Sequence, residues 1–197
     1  MAGVAVVTLA VEGDSDRAAA VRILETLGFE AGPVHGLRGK PWLMQHLPGY
    51  NNAARFAPWL VLVDLNGDAH CAPEFTTRVL SSPAPHMHLR VAVRAVEAWL
   101  LADVERLARF LGVSESRCPP DPDALDNPKR TLVDLARHAR RAIREDMVPA
   151  PGTSIAVGPG YTGRIIEFAA AHWRPVVAAR HSDSLARCLR ALREWRL

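Results

Sequence analysis

The chain has 197 residues, of which 49% are apolar, and its formal net charge is +3. This length and composition predict one domain, or one domain with an appendage, and exclude a chain that is disordered throughout. No apolar run approaches the roughly 18 residues of a membrane span, and three widely spaced cysteines fit neither a disulfide framework nor a zinc ribbon. We therefore expect a cytoplasmic protein with no membrane segment.

The first part of the chain alternates predicted strands with predicted helices. Residues 3–11, GVAVVTLAV, form a nearly continuous apolar run. This run is typical of a strand covered on both faces, and we expect a strand here rather than a signal peptide. Further strands are predicted at 32–37, 59–63 and 87–93. Helices are predicted over 16–27, near 40–47 before a turn at Pro48-Gly49, over 74–80, and from 94 to 111.

The last part of the chain is predicted to be helical. Residues 112–128 are rich in Pro and Asp and are expected to be exposed. Strand–helix alternation over the first 110 residues predicts an α/β fold with a parallel-rich sheet flanked by helices. We therefore divide the chain into an α/β domain, 1–111, and a helical C-terminal extension packed on it, 112–197. In the extension, helices are predicted over 129–145, near 163–173 and over 182–196, with a Gly/Pro loop at 148–163.

Acidic residues follow the predicted strands at the points where the strands end. Glu12 follows the first strand, Asp64 follows the third, Asp68 lies four residues later, and Glu97 lies just past the last strand. In open parallel sheets, ligands bind beyond the carboxyl ends of the strands. Crowded carboxylates repel one another unless a cation neutralises them, and Mg²⁺ prefers oxygen ligands. The pattern predicts a Mg²⁺ or Mn²⁺ site for phosphoryl transfer, with Glu12 and Asp64 as catalytic residues and all four acids as metal ligands.

Each of these acids also has an ordinary structural interpretation. Glu12 and Asp68 suit turns, Asp64 suits the start of a loop, and Glu97 suits the first turn of a helix because of the helix macrodipole. Asp16 is expected to favour the start of its helix, and Asp103 is expected to cap a helical segment.

Positive charge is concentrated in the last third of the chain. Residues 1–126 hold 11 basic and 15 acidic side chains, whereas residues 127–197 hold 13 and 6. On the predicted helix 129–145, four arginines share one face at helical spacing: Arg137, Arg140, Arg141 and Arg144. Such a stripe is typical either of a surface that binds nucleic-acid phosphates or of a solvated helix face.

The acidic residues resemble the pattern of Toprim domains. That pattern has a glutamate followed by glycine after the first strand and an Asp-x-Asp after a later strand. Glu12-Gly13 matches the first element, and Ser15-Asp16 extends it in the manner of the OLD-type nucleases. Asp64-Leu65-Asn66 matches the second element except at its last position.

Other segments are similar to a motif of an uncharacterised bacterial Toprim-like family related to the OLD-type branch. These segments are 94–103, which contains Glu97, together with Asn127-Pro128-Lys129 and 182–185. The resemblance covers most of the chain. It implies a Toprim-like fold and Mg²⁺-dependent cleavage of nucleic-acid phosphodiester bonds, in phage defence or DNA repair.

Asn66 stands where the Toprim pattern has a second aspartate. An amide oxygen brings no charge, so metal affinity should fall unless Asp68, in the same loop, takes that role. A second interpretation is therefore a catalytically inactive Toprim-like module that binds a partner ATPase or nucleic acid. The sequence leaves open the oligomeric state and the choice between DNA and RNA.

Overall fold

A four-stranded sheet lies at the centre of the computed structural model, which describes residues 4–195. The strand order is β2-β1-β3-β4, and all neighbouring strands run parallel. Parallel strands need crossover connections, and each crossover here contains a helix. The strands are β1 (Val6–Val11), β2 (Glu30–Gly36), β3 (Trp59–Asp64) and β4 (Met87–Ala92).

Helices cover both faces of the sheet and form the whole C-terminal part of the described chain. Among residues 4–195 they are α1 (Asp14–Thr26), α2 (Lys40–Ala53), α3 (Ala72–Val79), α4 (Val96–Leu101), α5 (Val104–Leu111), α6 (Pro128–Ala136), α7 (Arg141–Met147), α8 (Tyr161–Ala171), α9 (Pro175–Ala178) and α10 (Asp183–Arg193). Two short 3₁₀ segments, Glu115–Arg117 and Pro122–Ala124, lie between α5 and α6.

The sheet has an apolar core on each side because side chains along a strand alternate between its faces. Leu60 and Leu62 of β3 pack with α1 and the C-terminal helices. Val61 and Val63 face α2 and α3. The central strands therefore bury both faces, which explains their continuous apolar sequence.

This architecture confirms the predicted α/β class, with an all-parallel sheet flanked by helices and a helical C-terminal part. One core joins the two parts, since Val7 and Leu111 share it with Leu132 and Leu185. The division of the chain after residue 111 stays a prediction. Within residues 4–195, no helix is both long enough and apolar enough to cross a bilayer. Residues 3 and 196, at the ends of two predicted elements, lie outside the described part of the chain.

Two local predictions in the first part of the chain are wrong. Pro48-Gly49 does not form a turn, because α2 continues to Ala53. Burial of Leu47 and Tyr50 against the sheet offsets the cost of a proline within the helix. The predicted helix 94–111 is divided between α4 and α5 at Ala102 and Asp103.

The break before α5 has a long-range cause. The buried carboxylate of Asp103 does not cap α5; instead it accepts hydrogen bonds from the backbone N–H and the guanidinium of Arg174, at 2.6–3.1 Å. Asp103 therefore occupies the N-cap position of α5 as expected, but its side chain makes no capping hydrogen bond. Its carboxylate joins the end of α4 to the start of α9.

The predicted helix 129–145 is also wrong, and with it the single arginine face. α6 ends at Ala136 and α7 begins at Arg141, because the backbone N–H of Arg140 donates to the carbonyl of Leu111 at 3.2 Å instead of to its own helix. Arg137 and Arg140 therefore lie in the turn between two helices.

Candidate acidic site at the carboxyl edge of the sheet

Glu12 and Asp64 meet because they end neighbouring parallel strands. The backbone N–H of Asp64 donates to Oε1 of Glu12 at 2.9 Å. Oδ1 of Asp64 in turn accepts from the backbone N–H of Val96 at 2.8 Å, at the start of α4. Each carboxylate is thus held by the backbone of the next element, which fixes both side chains at one edge of the sheet.

Asp16 and Glu97 complete a group of four carboxylates with Glu12 and Asp64. Asp16 lies in the first turn of α1, where its Oδ2 accepts from the backbone N–H of Gly13 at 2.8 Å, so it supports the helix start as expected. Asp16 and Glu97 are only 8% and 3% exposed, respectively. Helices α1 and α4 thus each add a buried acid to the two carboxylates at the strand ends.

Burial and neighbouring charges raise the pKa values of three of these carboxylates, those of Asp64, Asp16 and Glu12. Burial raises the pKa of Asp64 well above its usual range, and the charges of Asp16, Glu97 and Glu12 raise it further. Burial, Glu12 and Glu97 raise the pKa of Asp16 to about 7. Burial also raises the pKa of Glu12, although the N–H of Asp64 and the charge of Lys40 oppose this. The site therefore gathers more negative charge than it neutralises by itself.

The only two lysines of the chain border these acids. Nζ of Lys40 donates to the backbone carbonyl of Asp64 and pairs with Oδ2 of Asp68 at 2.5 Å. Nζ of Lys129 lies 3.5 Å from Oε1 of Glu97. Every other cationic side chain except histidine is an arginine, so the rarity of lysine was a usable signal in the sequence. Lys40 and Lys129 were nevertheless not predicted as site residues.

Tyr161 is a further site residue that the sequence did not identify. At the start of α8, its hydroxyl donates to Oε1 of Glu97 at 3.2 Å, and its ring lies 6.0 Å from Nζ of Lys129. Lys129 belongs to α6, so the helical C-terminal part supplies one wall of the site. No local motif marks Tyr161, because only the tertiary fold brings α8 to the sheet edge.

Asp68 lies at the rim of the site rather than in the buried group. Its side chain is 45% exposed and its carboxylate faces Lys40. Asn66 is exposed and has a left-handed backbone, with φ of 50°, which asparagine tolerates better than most residues. Its backbone N–H and carbonyl both bond to Arg94, at 2.8 and 2.9 Å. The chain at Asn66 is thus built as a turn.

The donor chemistry of the site suits a hard cation, but its spacing limits how such an ion would be held. Within residues 4–195, no three acidic, histidine or cysteine side chains converge closely enough to ligate one metal ion. Mg²⁺ typically uses one or two carboxylates and keeps several waters. The residues therefore fit a largely hydrated divalent ion better than one enclosed by protein ligands.

A basic groove of about 910 Å³ adjoins the acidic site. Lys129, which contacts Glu97, also lines this groove, together with Arg130, Arg137 and Arg144. Asp134 and Glu145 also line the groove, where Asp134 pairs with Arg130 and Arg137, and mostly apolar side chains of 148–159 form another wall.

The four predicted stripe arginines divide between the groove and its surroundings. Arg137 and Arg144 line the groove, whereas Arg140 and Arg141 do not. The side chain of Arg140 packs over Gly112, and that of Arg141 pairs with Glu145 at 2.8 Å.

Comparisons of the chain with protein-family models, curated proteins and solved structures give no significant match. The functional interpretation therefore depends on the residues of the site.

Proposed function

We propose that this protein is a Mg²⁺- or Mn²⁺-dependent nuclease, or a related phosphodiesterase, built on a Toprim-like domain and acting in phage defence or DNA repair. One observation carries the proposal: Glu12, Asp16, Asp64 and Glu97 lie together at one edge of a parallel sheet, where burial and the neighbouring acids raise the pKa values of Asp16 and Asp64. Burying four acids together is unfavourable unless a cation or protons neutralise them. Such unfavourable clusters are more common at functional sites than elsewhere.

Glu12 and Asp64 would hold a largely hydrated ion, and Glu97 would bind it through its waters; the ion supplies charge neutralisation and an activated water when it is bound. Because a backbone N–H already fixes one oxygen each of Glu12 and Asp64, these carboxylates need little rearrangement to bind. Glu12 would also act as general acid or base, since burial raises its pKa towards the working range. Lys129 and Tyr161 hold Glu97 and limit its repulsion of the other acids.

The basic groove would bind the substrate next to the acidic residues. Arg130, Arg137 and Arg144 would bind backbone phosphates along the groove, and Lys129 would meet the phosphate nearest to Glu97. Contacts of this kind depend strongly on salt and carry little sequence information.

A catalytically inactive module that binds nucleic acid or a partner ATPase is the second candidate. Asn66 and Lys40 favour it. Asn66 brings no charge, and Lys40 neutralises Asp68, so the rim offers less negative charge to an ion than a full Asp-x-Asp would.

A titration with Mn²⁺ separates the two candidates. The enzyme proposal expects millimolar Mn²⁺ to raise the melting temperature and to support cleavage of labelled DNA or RNA. Glu12→Gln should abolish cleavage because it removes charge while keeping an acceptor oxygen for the N–H of Asp64. Asp14→Asn is the matched control, since Asp14 is an exposed acid of the same turn that pairs with Arg17.

Cleavage that survives Glu12→Gln would show that the site is misassigned. Nucleic-acid binding with neither cleavage nor stabilisation by Mn²⁺ would favour the inactive module.

A further inference from the structure

A second cleft, of about 760 Å³, follows the outer edge of β4. Its floor is β4 itself. One wall is α3, through Pro73 and Thr76, and the other is the first half of α10, through Ser184 and Arg187. The cleft is therefore a channel with a strand at its base and a helix on each side.

The floor of this cleft presents unused backbone groups. Among residues 4–195, β4 pairs with β3 alone. The carbonyl of His86 accepts from the backbone N–H of Trp59, and the carbonyl of Ala92 accepts from that of Leu65. The even-numbered residues of β4 therefore direct their backbone N–H and C=O groups towards β3. In a parallel strand, the intervening residues direct both N–H and C=O the other way. Leu89 and Val91 therefore point these groups into the cleft.

The two edges of the sheet differ in how well they would accept another strand. At the β2 edge, Pro33 removes a donor, Gly32 and Gly36 weaken the strand, and the pairing with β1 shifts register between Val7 and Leu9. Such features usually discourage further strand pairing. β4 contains neither proline nor glycine, and its six pairs with β3 are in unbroken register. The β4 edge is thus left suitable for pairing.

Arg90 brings an unmet positive charge to this edge. Its side chain is partly buried, and its Nε is buried without a hydrogen-bond partner. One Nη donates to Nδ1 of His88 at 2.8 Å, and burial lowers the pKa of His88 to about 4, so this neighbour stays neutral. Within residues 4–195, no carboxylate lies within 4.0 Å of the Arg90 guanidinium.

The acids that line the cleft already have partners. Asp123 accepts from the hydroxyl of Ser182 and the N–H of Ser184, at 2.7 and 3.0 Å. Asp183 pairs with Arg187 at 2.6 Å. Arg94, which also lines the cleft, donates only to the carbonyl of Asn66 in the described part of the chain. The cleft therefore has an excess of positive charge.

We propose that the cleft binds an extended acidic peptide segment of a partner protein, which adds as a strand beside β4 and places carboxylates against Arg90 and Arg94. Backbone bonds to Leu89 and Val91 would supply affinity, and the arginines would select acidic sequences. A second copy of this chain fits less well, because a symmetric pairing of two β4 edges would bring the same arginines against each other. The proposal is independent of the proposed nuclease activity.

Fluorescence anisotropy with a short labelled peptide that alternates valine with aspartate tests the proposal, in EDTA so that no divalent ion contributes. We expect saturable binding that the same peptide with lysine in place of aspartate does not show. Arg187→Glu should weaken binding by roughly threefold to tenfold, since it leaves Asp183 without its partner and adds a second negative charge at the rim of the cleft. Arg190→Glu is the matched control, because Arg190 is exposed on the same helix but does not line the cleft.

Hydrogen exchange on the unmodified chain gives a second readout that does not depend on any variant folding. Saturating peptide should slow exchange at the amides of Leu89 and Val91. The proposal is overturned if the aspartate peptide does not saturate, if the lysine peptide binds equally well, or if these two amides gain no protection. It is also overturned if sedimentation shows a dimer that Arg187→Glu dissociates, since the edge would then serve a second copy.

Discussion

Nζ of Lys129 lies 3.5 Å from Oε1 of Glu97, and this contact joins the helical C-terminal part of the chain to the acids of the sheet edge. Lys129 is more than half exposed, whereas the Glu97 side chain is almost completely buried. The lysine is therefore free to contact both the buried acids and a substrate in the groove. It lowers the pKa values of Glu12 and Asp16, which both lie within its field.

Lys129→Gln should shift the pH dependence of the proposed cleavage. Without this cation the pKa values of Glu12 and Asp16 rise further, so a higher pH is needed to ionise the site. At pH 7 we expect cleavage to fall roughly threefold to tenfold, and Lys129→Arg to restore most of it. Initial rates between pH 5 and 9 measure this. An equal loss in Arg141→Gln, whose side chain is 83% exposed and lies outside the groove, would contradict a specific role for Lys129.

Asp16→Asn should stabilise the protein at alkaline pH. The folded protein keeps the Asp16 proton up to about pH 7, whereas the unfolded chain loses it near the usual pKa of 3.8, so the folded state binds more protons between these values. The free energy of unfolding therefore falls as pH rises through this window. Asparagine keeps an acceptor for Gly13 and removes the charge. We expect a gain on the order of 1–3 kcal/mol at pH 8 and almost none at pH 4.

Urea denaturation of the wild type and of Asp16→Asn at both pH values measures this difference. Asp14→Asn provides the control, because Asp14 is half exposed and pairs with Arg17 at the surface. A loss of stability in Asp16→Asn at pH 8 would mean that the repulsion among the acids is not the dominant effect.

Arg174→Ala should be severely destabilising because it leaves the Asp103 carboxylate buried without its partner. Arg174 supplies two guanidinium bonds to Asp103 and a further one to Glu105. Removing one member of a buried ion pair typically costs about 3–5 kcal/mol, and we expect roughly 3 kcal/mol here. Chemical denaturation at pH 7 measures the loss. Arg109→Ala, which breaks an exposed pair with Glu105, should cost less than about 1 kcal/mol.

Arg144→Gln should weaken nucleic-acid binding more than Arg141→Gln does. Arg144 lines the basic groove, whereas Arg141 lies outside it and pairs with Glu145. If Arg144 contacts one phosphate, the slope of log K against log salt should decrease in magnitude by about 1 in Arg144→Gln. Binding of labelled single-stranded and double-stranded DNA and RNA across a salt series measures the slope. Equal slopes for the two variants would contradict the groove as the path of the backbone.

The fold class could be predicted from the sequence because buried parallel strands leave an unmistakable pattern. The apolar runs that end at Val11 and Val63 show where the strands finish, and each is followed at once by an acid, so Glu12 and Asp64 meet at one edge of the sheet. The apolar runs and the acids that follow them are both local features, so the sequence alone is enough to identify them.

Features fixed by distant partners could not be predicted. The break between α4 and α5 depends on Arg174, and that between α6 and α7 depends on the carbonyl of Leu111. Helical periodicity continues through both breaks, so it predicts two long helices. Tyr161 reaches Glu97 from 64 residues away, and no spacing in the sequence marks such a contact.

The bond from the N–H of Asp64 to Glu12 separates two properties of position 12 that are usually lost together. The hydrogen bond needs only an acceptor oxygen, whereas ion binding and proton transfer need a charge. Relatives that have lost the catalytic activity would still be selected to keep the hydrogen bond that joins the ends of β1 and β3. When the catalytic activity is lost, glutamine should therefore replace Glu12 more readily than alanine does. A glutamine at position 12 would indicate that the fold is kept and the site is inactive.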